Sequence, residues 1–236
     1  MSLNPPSEQD PLLEMLWDRG LILFGDRVRE EYALNTPIFI DLRRKLHEDL
    51  EALQTIGAAL HRRISENVSA GTPQQVIGIP DTATPLALAA AFASRMSPTP
   101  LAYGQLRKRP ADYPGGRSGA QAYMGVPDPG REITLIDDVM ASGKTKLWSI
   151  EQLREAGLKP SRVLVVVDRE QGGDRILEEL GVPTLALYRV TELIAYFERT
   201  GKISADTAQA ARGHIESRRF SQKKADLQGK ARELSS

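Results

Sequence analysis

The chain has 236 residues, 41% of them hydrophobic, enough to bury a substantial core in one large or two small domains. Its 31 Lys and Arg balance 31 Asp and Glu, so no overall field points to nucleic acid or an anionic membrane surface. The absence of cysteine excludes disulfides, thiolate nucleophiles and cysteine-based zinc sites, and three scattered histidines, His47, His61 and His214, argue against a His-rich metal centre.

The opening residues show no basic start followed by an apolar core and a cleavage site, so the cytoplasm is the expected location. Residues 1–20 read as an N-terminal helix or extension. From Glu48 to Ile64, the residues Leu50, Leu53, Ile56, Leu60 and Ile64 recur at three- and four-residue steps, which predicts an amphipathic helix. "QVIGIP" (75–80) then reads as a short buried strand. "PLALAAAFASRM" (85–96) reads as a helix opened by proline, and its apolar part is far too short to span a bilayer. Between Arg107 and Gly130 periodicity fails in a Pro- and Gly-rich stretch, which predicts a long surface excursion, a lid over about 105–130.

The same strand, loop, helix unit recurs in "ITLIDDVMASGKTKLWSIEQLREAG" (133–157): an apolar run ending in Asp137 and Asp138, a loop from Met140 to Thr145, and a helix closed by Gly157. "RVLVVVD" (162–168) and "TLALYRV" (184–190) are two more strands around a helical "RILEELG". Thr191–Thr200 and Ser204–Phe220 read as C-terminal helices, and 223–236 as a polar, flexible tail. Alternating strands and helices predict a mainly parallel, twisted sheet covered on both faces, an α/β fold.

In such a sheet ligands sit beyond the carboxyl ends of the strands. Backbone N–H groups of a turn entering a helix converge on one point, and Ser142, Lys144 and Thr145 add hydroxyls and a positive charge, so the loop suits a phosphate monoester. Asp137 and Asp138 suit sugar hydroxyls or a hydrated Mg²⁺. The "GKT" ending is not a nucleotide P-loop, because the glycine required five residues before Gly143 is Asp138. Taken alone, Asp-Asp at a strand end also suits a solvated turn; the loop and helix that follow favour a sugar phosphate site.

"LIDDVMASGKT" resembles the phosphoribosyl pyrophosphate (PRPP) signature of type I phosphoribosyltransferases. Three further segments are similar to orotate phosphoribosyltransferases, including the transferase domain of UMP synthase: "FGD" with "TPIFIDLRRKL" (24–26, 36–46), "GIPDTATPLA" (78–87) and "VVVDREQGG" (165–173). The resemblance runs from about Phe24 to Phe220. It implies the type I fold over 21–222, with a small N-terminal hood and a mobile lid, and transfer of phosphoribose from PRPP to orotate with Mg²⁺ held mainly by PRPP, in a homodimer. It further implies that Val139, Met140, Ala141, Ser142, Gly143, Lys144 and Thr145 hold the phosphoribose with Asp137 and Asp138, and that Asp81, Thr82, Ala83 and Thr84 line the pyrophosphate. Arg107 and Lys108 would meet the leaving group, Arg169 and Ala141 the orotate, with Asp138 and Arg109 among the catalytic residues.

Two departures fall on chemistry. Ala111 stands where the lid lysine is expected, with Arg109 nearby as a partial substitute, and Glu30 and Glu31 stand where a lysine near the pyrimidine is expected, which predicts repulsion of an anionic base. Ala141 also replaces a threonine. Two other readings therefore stay open at this point: a PRPP- or nucleotide-binding regulatory protein, and a transferase for a less anionic base. Arg169 has a bland alternative as well, a turn residue paired with Glu170 or Asp174.

Overall fold

The computed structural model of the chain describes residues 9–69, 71–107 and 122–219. Helix α1 (Pro11–Asp18) leads into a two-stranded antiparallel hood, β1 (Ile22–Phe24) and β2 (Ile38–Ile40), with α2 (Asp26–Tyr32) between them. Helix α3 (Leu50–Ser65) follows, its N-terminus capped by Asp49, whose side chain accepts the Ala52 N–H at 2.9 Å. The main sheet then builds from β3 (Gln74–Gly78), α4 (Thr84–Ala93), β4 (Ala102–Leu106), β5 (Tyr123–Met124), β6 (Glu132–Met140), α5 (Lys144–Glu155), β7 (Pro160–Asp168), α6 (Gly173–Glu179) and β8 (Thr184–Arg189). Helices α7 (Val190–Arg199) and α8 (Ala205–Arg219) complete the described chain.

The six strands lie in the order β5-β4-β3-β6-β7-β8, parallel except for β5, which runs antiparallel to β4. Consecutive strand residues face opposite ways, and the central strands are apolar on both faces because both are covered. Val76, Ile136, Leu164 and Val166 join one core with α1, α3, α4, α7 and α8. Ile77, Leu135, Val163 and Val165 join the other with α5 and α6. Among the described residues no helix is long and apolar enough to cross a membrane.

Several boundaries differ from the pattern in the sequence for local reasons. β6 continues through Met140, so both acidic residues lie within the strand, and α5 starts at Lys144, which leaves only Ala141, Ser142 and Gly143 between them. The helix read over 85–96 ends at Ala93 and tightens into a 3₁₀ turn, where Ser94 Oγ accepts the Leu101 N–H at 2.8 Å. Leu50, read as part of the buried stripe of α3, is exposed. β5 carried no strand pattern; it returns the long excursion to β4, pairing Leu106 with Tyr123, while residues 108–121 lie outside the described chain. The tail from 223 onward lies outside it too.

Helix α1 is joined to the core by polar as well as apolar contacts. Leu12, Leu13 and Leu16 are buried, and the Asp10 carboxylate caps the helix through the Leu12 and Leu13 N–H groups while accepting the Tyr188 hydroxyl at 2.9 Å. The Asp10 N–H donates to the Tyr196 hydroxyl, which in turn donates to Glu14. Replacing Asp10 by Ala removes the cap and leaves a buried phenol without its acceptor. Urea denaturation of Asp10→Ala is expected to show a loss of about 2 kcal/mol, at the upper end for a lost cap.

Candidate active site

The chain turns in opposite directions at the centre of the sheet. From β3 it crosses through α4 to β4 on one side; from β6 it crosses through α5 to β7 on the other, with α4 and α5 on opposite faces. β3 and β6 are neighbours, so their carboxyl ends open a crevice between the loop at 79–83 and the loop at 141–143, the position at which open α/β sheets bind ligands.

The loop at 141–143 is built for a close anion contact. Gly143 caps α5 from the left-handed region (φ +78°) with no side chain over the helix end, so the N–H groups of the first turn stay open. Lys144 and Thr145, expected in the loop, sit exposed in that first turn. From beneath, the loop is held by the Gly173 N–H, which donates to Ala141 O at 3.2 Å. A Cβ on Gly173 would stand 2.5 Å from the same oxygen, so this close approach needs glycine.

Asp137 and Asp138 are both buried but serve different neighbours. Adjacent on the strand, they project to opposite faces. Asp137 meets the ammonium of Lys146 from α5, and Lys146 Nζ also donates to Val139 O at 2.5 Å. Asp138 faces the hood, with Arg43 Nε at 3.6 Å from its Oδ2. Each carboxylate also accepts the N–H of the next residue, Asp138 N at 2.9 Å and Val139 N at 2.8 Å. Burial pushes the Asp137 carboxyl above its usual range and the Asp138 charge adds to this, while Lys146 pulls it back. Lys146 had not been singled out. Its signal was its place on the apolar stripe of α5, in step with Ile150 and Leu153, where a lysine needs a buried partner.

The remaining expected residues divide by strand. Asp81, Thr82, Ala83 and Thr84 follow β3: Asp81 is exposed at the loop tip, Ala83 is buried beneath it, and the Pro80–Asp81 peptide is cis. Arg107 follows β4, the neighbour of this loop's strand, its N–H donating to Ala122 O at 2.9 Å; Lys108, Arg109 and Ala111 lie outside the described residues. Arg169 follows β7, its N–H donating to Met140 O at 2.9 Å, so it stands next to the loop at 141–143. It pairs with neither Glu170 nor Asp174; burial and the nearby Arg218 charge lower its pKa. Glu31 is paired with Lys45, so its charge is neutralised within the hood.

A resident metal does not fit this donor set. Lys146 already occupies Asp137, Asp138 lies opposite Arg43, and among the described residues no three Asp, Glu or His side chains converge.

No protein-family model matches the chain. It is 32% identical over 186 residues to an orotate phosphoribosyltransferase of Methanoculleus marisnigri, covering 78% of this chain and 98% of that one. It is 28% identical over 209 residues to the uridine 5'-monophosphate synthase of Bos taurus, covering 89% of this chain and 41% of that one. Among solved structures, the orotate phosphoribosyltransferase of Francisella tularensis superposes with a TM-score of 0.68 at 17% identity, over 89% of this chain and 97% of that one, a likeness of fold.

Two variants test the electrostatics. Lys146→Met leaves Asp137 buried without a partner and is expected to lower the unfolding free energy by about 3 kcal/mol, most of it recovered when Asp137→Asn is added. Asp168, which accepts the Glu170 N–H at 2.8 Å, has its carboxyl pushed up to about 6, mainly by burial. Its charged form is disfavoured in the fold, so stability is lost as pH rises from its unfolded value through about 6. Asp168→Asn is therefore expected to gain on the order of 2 kcal/mol above pH 7 and nothing near pH 4, read from urea curves across pH.

Proposed function

The chain belongs to the orotate phosphoribosyltransferase family, and from that premise we propose how its own residues divide the reaction of PRPP with orotate, which yields orotidine 5'-monophosphate (OMP) and pyrophosphate in pyrimidine biosynthesis. The observation that carries the assignment is the meeting, at one switch point, of an open helix end, a buried carboxylate and a guanidinium that has no carboxylate partner among the described residues. Ala141 to Thr145 receive the 5'-phosphate through backbone N–H groups and the Ser142 and Thr145 hydroxyls. Asp138 takes the ribose hydroxyls. Asp137, committed to Lys146, acts through the loop it holds in place.

The bond from C1' to the pyrophosphate oxygen breaks and its electron pair leaves with pyrophosphate; a ring nitrogen of orotate bonds C1', its N–H bond breaks, and the proton is released with the pyrophosphate. Positive character on the ribose and negative charge on the leaving group build together. The loop from Asp81 to Thr84, with Arg107 and the Lys108 and Arg109 that follow it, forms the leaving-group side. Mg²⁺ carried by PRPP would supply charge neutralisation for pyrophosphate. Arg169 meets the orotate from the opposite side. The pairing of Glu31 with Lys45 removes much of the repulsion that the sequence suggested, which favours orotate over a less anionic base.

We further propose a homodimer through α3 and α4. Leu50, Leu53, Leu88 and Phe92 line an open groove of about 570 Å³ between these helices, and Leu50 and Phe92 are exposed. Large exposed apolar patches mark interaction surfaces, and α4 begins at the pyrophosphate loop, so a second copy here would stand beside the site.

Orotate consumption with PRPP and Mg²⁺, followed by loss of orotate absorbance, is expected to be robust, and to fall at least a hundredfold in Asp138→Asn. No turnover by the wild-type protein would sink the assignment. For the assembly, light scattering is expected to give a dimer that Phe92→Glu converts to monomer; a monomeric wild type at micromolar concentration contradicts it.

A further inference from the structure

One cation of the hood reaches the crevice from a fixed base. Leu42 is buried in the core that the hood shares with α4 and the central strands. Beside it, the Asp41 carboxylate accepts the Arg43 and Arg44 N–H groups at 3.2 and 3.0 Å, and the Tyr32 hydroxyl as well. The backbone at Arg43 is therefore held, while its side chain stays 72% exposed. Among the described residues its one ion-pair partner is Asp138. The 3.6 Å between Nε and Oδ2 is well beyond the roughly 2.7–2.9 Å of a charge-assisted hydrogen bond. A contact that long, on an arginine that faces solvent, is weak and easily exchanged.

The surroundings of Asp138 identify the group that takes its place. Gly78 of β3 is level with Ile136 of β6, so Asp138, two residues on and on the same face as Ile136, falls beside the start of the loop at 79–83. On that face the loop doubles back over its own strand: a Cβ on Gly78 would stand 2.6 Å from Thr84 Cα, which puts the first turn of α4 there. This helix end has no side-chain cap, so its N–H groups are open to an anion. Arg43 thus shares a face with the pyrophosphate side of the site, whereas Arg169 follows β7, across the loop at 141–143. Ribose hydroxyls that bind Asp138 release the arginine, and a cation kept beside the ribose would oppose the positive character that builds there. We propose that Arg43 exchanges partners: it pairs with Asp138 in the empty enzyme and turns to the pyrophosphate group of bound PRPP, leaving Asp138 to the ribose. There its guanidinium stabilises the charge of the departing pyrophosphate. This rests on the reading of the site given above.

The test compares PRPP with OMP, which keeps the phosphoribose and lacks the pyrophosphate, each bound to the full-length protein with Mg²⁺ and measured by calorimetry. Arg43→Ala is expected to bind PRPP about tenfold or more weakly, the loss of one charge-assisted contact. Its affinity for OMP should hold or rise, because Asp138 no longer has to be released. Arg43→Lys should keep part of the PRPP affinity. Because Arg43 is exposed, the melting temperature of both variants should match the wild type. In turnover, Arg43→Ala should raise KM for PRPP about tenfold and leave KM for orotate as it was. Unchanged PRPP affinity in Arg43→Ala, or equal weakening of PRPP and OMP, overturns the proposal alone. So does a variant that loses only the preference for OMP over UMP, since Arg43 would then read the base. A wild type that binds neither PRPP nor OMP overturns it together with the reading of the site.

Discussion

The ion pair between Asp137 and Lys146 closes a short circuit in the chain. It joins β6 to the first turn of α5, and the three residues that form the phosphate loop are strung between strand and helix. With both side chains nearly inaccessible, the pair is costly to break, so the loop cannot open without exposing an uncompensated charge. The second tether, from Gly173 to Ala141, adds support from the β7 side. A helix end can bind a phosphate only if its N–H groups are already aimed, and these two contacts supply that preorganisation.

Charge is distributed around this anchor in a way that suits the reaction. The carboxylate freed by the strand's alternation, Asp138, faces the hood and the crevice, while its neighbour is turned inward and neutralised. On the β7 side Arg169 has no carboxylate partner among the described residues, whereas in the hood Lys45 is spent on Glu31. On the proposed placement, the substrate's negative groups meet donors at both flanks and at the centre, and Asp138 faces the ribose where positive character builds.

Much of this was legible in the sequence because it depends on local pattern. The strand, loop and helix units at 75–96 and 133–157 follow from apolar runs and punctuation, and the order of the four similar segments identified the family. The rest depended on contacts between distant segments. The partner of Lys146 is set by α5 folding back onto β6, which the stripe alone does not show, and the Glu30 and Glu31 pair looked repulsive until Lys45 was placed beside Glu31. His214 sits in a polar helix whose approach to Thr36 no spacing rule reveals. β5, two residues long, lacked the length for any period to register and is held by its partner strand alone.

The most direct test of the account is a crystal structure of the protein with OMP bound. The account predicts the phosphate oxygens on the N–H groups of the loop at 141–145, the ribose hydroxyls on Asp138, and Asp137 still paired with Lys146. A nucleotide seated elsewhere, or Asp137 swung away from Lys146 to take the ribose, would contradict it.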